Sequence, residues 1–305
     1  MKTIHLIFFL LFFVEKSISS PSHISPTTTA RTVVDKNEAK IREEFRHMQL
    51  ESWIKNRGLP DGKAGLNVDK WNASTSKDNP EERGVYLEGD ILFEVDPASP
   101  KSALIGDNYR WPNGEVYVKF SPVFNPSELA LLKNAIKYIE MHTCIRFYYY
   151  QPGVRDYIDI TSSHTGCYSN VGRIGGPQRL NLQRPGCMNL RTATHEMIHA
   201  LGFFHEQSRT DRDRYIQINY GNIVPHEIHN FNKNDNSNHQ GIPYDFLSIM
   251  HYSRYAFARN PRIPTINFKP PYQDYEKLSS NDNKLSWNDV KKINRLYKCE
   301  ASGEN

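Results

Sequence analysis

Apolar residues recur at helical spacing in three separate stretches of this chain. In the first, Ile41, Phe45, Met48 and Trp53-Ile54 form one stripe that Gly58-Leu59-Pro60 stops, which predicts a short amphipathic helix. In the second, Asn125 stands as cap, Pro126 opens the first turn and Glu128 follows three residues after the cap. Leu129, Leu132, Ile136 and Ile139 then share one face, so this helix is expected to back the core. In the third, Ser286-Trp287-Asn288-Asp289 makes a capping box ahead of Val290, Ile293, Leu296 and Tyr297. Strands are expected from Val116 to Phe120, Phe147 to Tyr150, Tyr157 to Thr161 and Arg179 to Leu182. From 220 to 285 the chain is rich in Asn, Pro, Lys and Tyr with little periodicity, which predicts irregular structure. The sum is an α+β domain split by a cleft.

The amino terminus reads Lys2, then an apolar run from Leu6 to Val14, then Ser17-Ile18-Ser19-Ser20. That order of charged, apolar and small residues predicts a secretory signal over residues 1–20 and an extracellular protein. The run is far shorter than the roughly 20 residues that span a bilayer, so no membrane anchor is expected. Residues 21–101 are polar and free of cysteine, and are read as a removable prosegment. Residues 102–305 suffice for one globular unit. Asn72-Ala73-Ser74 is the glycosylation sequon, since Pro126 spoils the one at Asn125.

Basic and acidic residues nearly balance, 38 against 34, and no Lys/Arg block marks a nucleic-acid partner. Cys144, Cys167, Cys187 and Cys299 number four, and in an exported chain this most simply means two disulfides, with three pairings open. None has the close C-x2-4-C spacing of a cysteine-zinc site.

The chemistry concentrates in His195-Glu196-Met197-Ile198-His199-Ala200-Leu201-Gly202-Phe203-Phe204-His205-Glu206. On a helix, residues four apart lie roughly 40° apart in rotation and about 6 Å apart along the axis. His195 and His199 therefore project from one face and can share a metal ion. Gly202 can adopt the left-handed backbone that ends a helix and so deliver His205. Three histidines leave one tetrahedral position for water, the open pattern of a catalytic zinc site with one Zn2+ per domain. Glu196 is the candidate general base, and Tyr252 the candidate donor to the oxyanion of an attacked peptide carbonyl. Met250 is expected as an apolar floor beneath the histidines. His251 is left without a role, and His226 and His229 are read as surface residues.

These residues resemble the astacin family of metzincin peptidases, and the likeness runs from Ser102 to Cys299. It rests on the zinc motif with Glu206 directly after the third histidine, on Gln207 to Asp213, and on Ser248-Ile249-Met250-His251-Tyr252. Arg110 to Gly114, Gly166 to Arg173 and Ile293 to Cys299 agree. The resemblance implies a two-lobed metzincin-like domain, with an N-terminal twisted sheet, helices including the zinc-binding one, and an irregular C-terminal lobe ending in one helix. It implies hydrolysis of protein or peptide substrates, and Tyr252 as an additional zinc ligand that swings aside. It also implies disulfides Cys144–Cys299 and Cys167–Cys187, and no appended adhesion modules. A monomer is expected.

Tyr86-Leu87-Glu88-Gly89-Asp90-Ile91 resembles the family's inhibitory Phe-x-Gly-Asp stretch, with Leu87 in place of Phe. Asp90 would then take the water's position on zinc; a solvated turn is the alternative. Ser102-Ala103-Leu104-Ile105-Gly106-Asp107 looks like a mature start, which implies cleavage after Lys101 by a trypsin-like protease and a new terminus folding toward Glu206. The competing function is a catalytically weak, zinc-containing peptide- or surface-binding module. Retention of both Glu196 and Tyr252 favours the enzyme.

Overall fold

Asn125 opens the longest helix. The computed structural model describes residues 59–92, 109–235, 239–277 and 284–299. The signal, the helix expected around Ile41 to Ile54, the Lys101 cleavage point and the Ser102 start lie outside the described residues.

Four α-helices are described: α1 (Gly62–Val68), α2 (Pro126–His142), α3 (Leu190–Ala200) and α4 (Trp287–Leu296). The Asn125 side chain accepts from Glu128 N and the Glu128 carboxylate returns to Asn125 N, closing the reciprocal cap that the sequence predicts. Leu132, Ile136 and Ile139 are buried on the inner face of α2. The strands are β1 (Glu115–Phe120), β2 (Arg146–Tyr149), β3 (Tyr157–Thr161), β4 (Cys167–Ser169) and β5 (Pro177–Leu182). They form one sheet in the order β2-β1-β3-β5-β4. All neighbours run parallel except β4, which pairs antiparallel with β5 and forms an edge.

The core of this lobe joins Val116, Ile160 and Leu180 of the sheet to α2 and to Met197 and Ile198 of α3, and takes in Val290 and Ile293 of α4. The terminal helix therefore packs into the first lobe. The bridge Cys144–Cys299 pins its end, and Cys167–Cys187 ties β4 to the chain entering α3. A second core gathers Phe231, Tyr244, Phe246, Tyr252, Ile266 and Phe268. Much of this lobe is loop and short 3-10 turns, as expected, but a small antiparallel pair also forms, β6 (Ile216–Ile218) with β7 (Ile266–Phe268). Among the described residues no helix is long and apolar enough to cross a membrane.

Residues 59–92 lie against this body. Helix α1 begins at the Asp61 cap, and its Ala64 joins Tyr86, Leu92 and Tyr168 in a small apolar cluster. Ile91 bridges Ser169 in parallel, with Leu92 N donating to Ser169 O at 2.8 Å and Ser169 N to Asp90 O at 3.0 Å. The segment so extends the sheet beyond edge strand β4.

Candidate active site

Helix α3 is buried from Arg191 to Ala200, so its polar side chains have partners inside the protein or none. Asn189 caps it by accepting from Thr192 N. It ends at Leu201, and Gly202 takes a φ of 112°, which turns the chain so that His205 faces back toward His195 and His199. The three imidazoles meet with centroids 4.7–5.2 Å apart.

Each ring is oriented through its Nδ1. His195 Nδ1 donates to Ile249 O at 2.8 Å, His199 Nδ1 to Phe203 O at 2.7 Å, and His205 Nδ1 to Glu88 Oε2 at 2.9 Å. Those bonds leave each Nε2 lone pair facing the common centre. The Ile249 carbonyl is itself fixed from the terminal helix. Asp289 accepts from Ser248 Oγ at 2.5 Å and from Ile249 N at 2.9 Å, while Ser286 caps the same helix through Asp289 N. Thus the capping box of α4 sets the turn that aims His195.

Asp90 completes the cluster and is fully buried. Its carboxylate lies 3.2 Å from His195 Nε2, 3.3 Å from His199 Nε2 and 3.3 Å from His205 Nε2, and the two nitrogens of His195 and His205 are 3.2 Å apart. A tetrahedral zinc with bonds of roughly 2.0–2.1 Å has ligand atoms roughly 3.3 Å apart. Asp90 Oδ1 and His199 Nε2 are also buried without a hydrogen-bond partner. The donor set, its spacing and these two orphaned atoms fit a zinc ion.

The buried charges of this cluster act on one another. Burial opposes the charge of Asp90, but His205 and His199 hold its carboxyl well below the usual range. Burial pushes His199 down to about 4 despite Asp90. His205 overcomes burial and rises to about 10, because Asp90 and Glu88 face it. Glu196 is driven well above the ordinary carboxylate range by burial first and then by Asp90 and Glu81. Neither of its oxygens has a hydrogen-bond partner among the described residues.

Tyr252 sits beside this cluster with its ring 4.7 Å from that of His205, and its hydroxyl donates to Glu88 O at 2.6 Å. Burial, then Glu88, raises its pKa well above the ordinary tyrosine value. Met250 is buried in the main core. His251 is taken up by Tyr244 Oη at 2.8 Å and Tyr252 O at 2.7 Å, while His226 is exposed. Glu206 is buried and paired with Lys292 Nζ at 2.6 Å and Arg209 Nη1 at 2.9 Å. Asn72 lies exposed in a turn.

Three contacts were not anticipated from the sequence. Glu81 and Glu82 are buried, Glu81 against Arg191 and Thr192 Oγ1, Glu82 against Ser253 N and Oγ at 2.5 and 2.6 Å. Glu88 is the third. An arginine within a wholly buried helix was a readable signal that an acid must approach it; nothing local marked the acids themselves.

A sequence model of Astacin, a peptidase family, matches residues 104–298. The chain belongs to the astacin family. This makes it a member of a family of zinc metalloendopeptidases, with a metzincin-like α+β fold. Among its relatives, embryonic protein UVS.2 of Xenopus laevis is 42% identical over 227 residues, covering 72% of this chain and 42% of that protein. High choriolytic enzyme 1 of Oryzias latipes is 38% identical over 234 residues, 74% of this chain and 82% of the relative. The solved structure of that hatching enzyme zinc-protease aligns with a TM-score of 0.57 at 39% identity, covering 62% of this chain and 93% of its own. The astacin-family match begins only after residue 103, so the buried contacts made by residues 59–92 stand outside it.

Proposed function

We propose that this chain is made as an exported, latent zinc endopeptidase that hydrolyses internal peptide bonds of protein substrates. The observation that supports it most directly is the convergence of the Asp90 carboxylate on all three histidine Nε2 atoms at 3.2–3.3 Å, with Glu196 next to His195 in sequence. In this reading His195, His199 and His205 would hold one Zn2+, which Asp90 would cover until the prosegment is removed. Zinc held there would supply Lewis acidity, which lowers the pKa of water from about 15.7 to near 7.

Glu196 is offset about 100° around the helix from His195, which leaves it free to act as general base. It takes the proton of the attacking water and passes it to the leaving amine. Burial first, and then the prosegment carboxylates Asp90 and Glu81, hold the Glu196 carboxyl above its ordinary range, and withdrawal of those two acids lowers its pKa toward that of a working base. The Tyr252 hydroxyl, released from Glu88 O, becomes a donor for the developing oxyanion. Ile249 and Phe203 keep two of the histidine rings aimed throughout.

Residues 1–20 serve as signal and 21–101 as prosegment, with a trypsin-like cleavage after Lys101 and Asn72 as glycan acceptor. A cavity lined by Phe203, Phe204, Glu206, Asp289 and Lys292 lies beside Glu206 and suits the entry of a freed terminus. The mature enzyme works as a monomer outside the cell. The test is to process purified full-length chain, measure zinc stoichiometry, and profile cleavage of a mixed peptide library; zinc-loaded protein that leaves every peptide intact refutes the reading.

A further inference from the structure

Two of the three candidate zinc ligands are aimed by main-chain carbonyls of the catalytic domain, and the third is not. His205 Nδ1 donates to Glu88 Oε2 at 2.9 Å, and Glu88 belongs to the prosegment. The contact is built with care around one residue. Glu88 is 4% exposed, its other carboxylate oxygen accepts from Asn234 Nδ2 at 3.1 Å, and its carbonyl accepts from Tyr252 Oη at 2.6 Å. Its φ is 48°, a left-handed backbone that a non-glycine residue adopts only where its surroundings hold it there.

The charges point the same way. A dication on three neutral imidazoles in this buried site leaves two positive charges without balance. Asp90 supplies one negative charge at the ligand position and Glu88 a second, on the far side of the His205 ring. Glu81 is neutralised by Arg191, and Glu82 bonds Ser253, so neither of these acids contacts a ligand histidine. A carboxylate on the outer N–H of a ligand histidine fixes the ring and raises its basicity toward the metal.

We propose that Glu88 is a positioning residue for zinc: it makes the latent chain the form that loads and retains the ion, and prosegment removal withdraws this support from His205. This rests on the zinc reading above and goes beyond the blocking role of Asp90. Loading thereby precedes activation, and the mature enzyme gives up zinc more readily than its precursor.

The test uses the zinc-loaded full-length chain and its Glu88→Gln variant, which keeps shape and an acceptor oxygen but removes the charge. Zinc transfer to a coloured chelator is timed, and docking of residues 79–92 is followed by hydrogen exchange. The expected result is unchanged docking with zinc affinity lowered by about 10–100-fold, wild-type precursor tighter than mature enzyme, and mature enzymes from both precursors alike. Wild-type zinc release from a docked Glu88→Gln precursor overturns the proposal, as does undocking of the segment, which would make Glu88 a mere docking contact. A wild-type precursor that binds no zinc instead refutes the zinc reading itself.

Discussion

Glu81 and Arg191 form a buried ion pair that joins the segment 59–92 to helix α3 one turn ahead of His195. Arg191 Nη2 also donates to Ile249 O at 3.2 Å, the carbonyl that aims His195. That segment is thus fastened to the framework of the site as well as to its centre. Burial opposes the charge on Glu81, yet the Arg191 guanidinium holds its carboxyl below the ordinary range.

Removing one partner of such a pair leaves an uncompensated buried charge, which costs about 3–5 kcal/mol. Glu81→Ala is therefore expected to loosen residues 79–92 strongly, seen as lost hydrogen-exchange protection and higher basal activity of the unprocessed chain. Glu81→Leu with Arg191→Leu should recover most of the loss, because both charges go together. Equal protection in the single variant and wild type contradicts this.

Glu82 predicts a pH dependence of docking. Burial, and then the neighbouring Glu81, raise its pKa to about 7. The docked state therefore binds a proton more tightly than the free segment, whose glutamate titrates near 4.5. Its contribution is complete below the free value and disappears as pH rises through about 7. With zinc bound, the affinity with which residues 59–92 dock should fall on the order of tenfold from pH 6 to pH 8. Glu82→Gln should flatten the profile; a wild-type affinity that climbs with pH over this range is the opposing outcome.

Asp90 lies against three imidazoles from outside the astacin-family match. If it covers the reacting position, Asp90→Ala in the unprocessed chain should raise peptide hydrolysis severalfold or more, with the processed enzyme unaffected. Equal rates for the two unprocessed chains remove Asp90 from the latency device.

The disulfides close loops of very different length, with separations of 155 residues for Cys144–Cys299 and 20 for Cys167–Cys187. Chain entropy ranks their contributions at about 5 and about 3 kcal/mol. Paired Cys→Ser replacement of the first should lower the denaturation midpoint more. It should also weaken zinc retention, since α4 carries Asp289 and hence the Ile249 carbonyl. The reverse order of stability would dismiss the entropic ranking.

The long, capped, strongly periodic elements were legible in the sequence: Asn125 and Ser286 both open helices where their capping boxes fall, and four strands lie within two residues of the alternating runs. The spacing of His195, His199 and His205 likewise forecasts rings that can meet, and in the folded chain they do. Strand β4 escaped because three residues are too few to show alternation, and because its three residues are all buried. Helix α1 escaped because Gly62 and Gly65 argue against a helix; yet His164 O would lie 2.3 Å from a Cβ at position 65, so the second glycine serves close packing. The β6–β7 pair joins residues about fifty apart, beyond any local pattern. The partners Glu81–Arg191 and Glu88–His205 are separated by more than a hundred positions, and only the tertiary fold brings them together.

The proposed hydrolysis turns on Glu196 as the base that takes the proton of the attacking water. Processed Glu196→Gln protein with full zinc content should show kcat/KM for peptide hydrolysis reduced by about 10²–10⁴-fold, the range that general base catalysis supplies, with peptide binding preserved. Hydrolysis by that variant at the wild-type rate would contradict it.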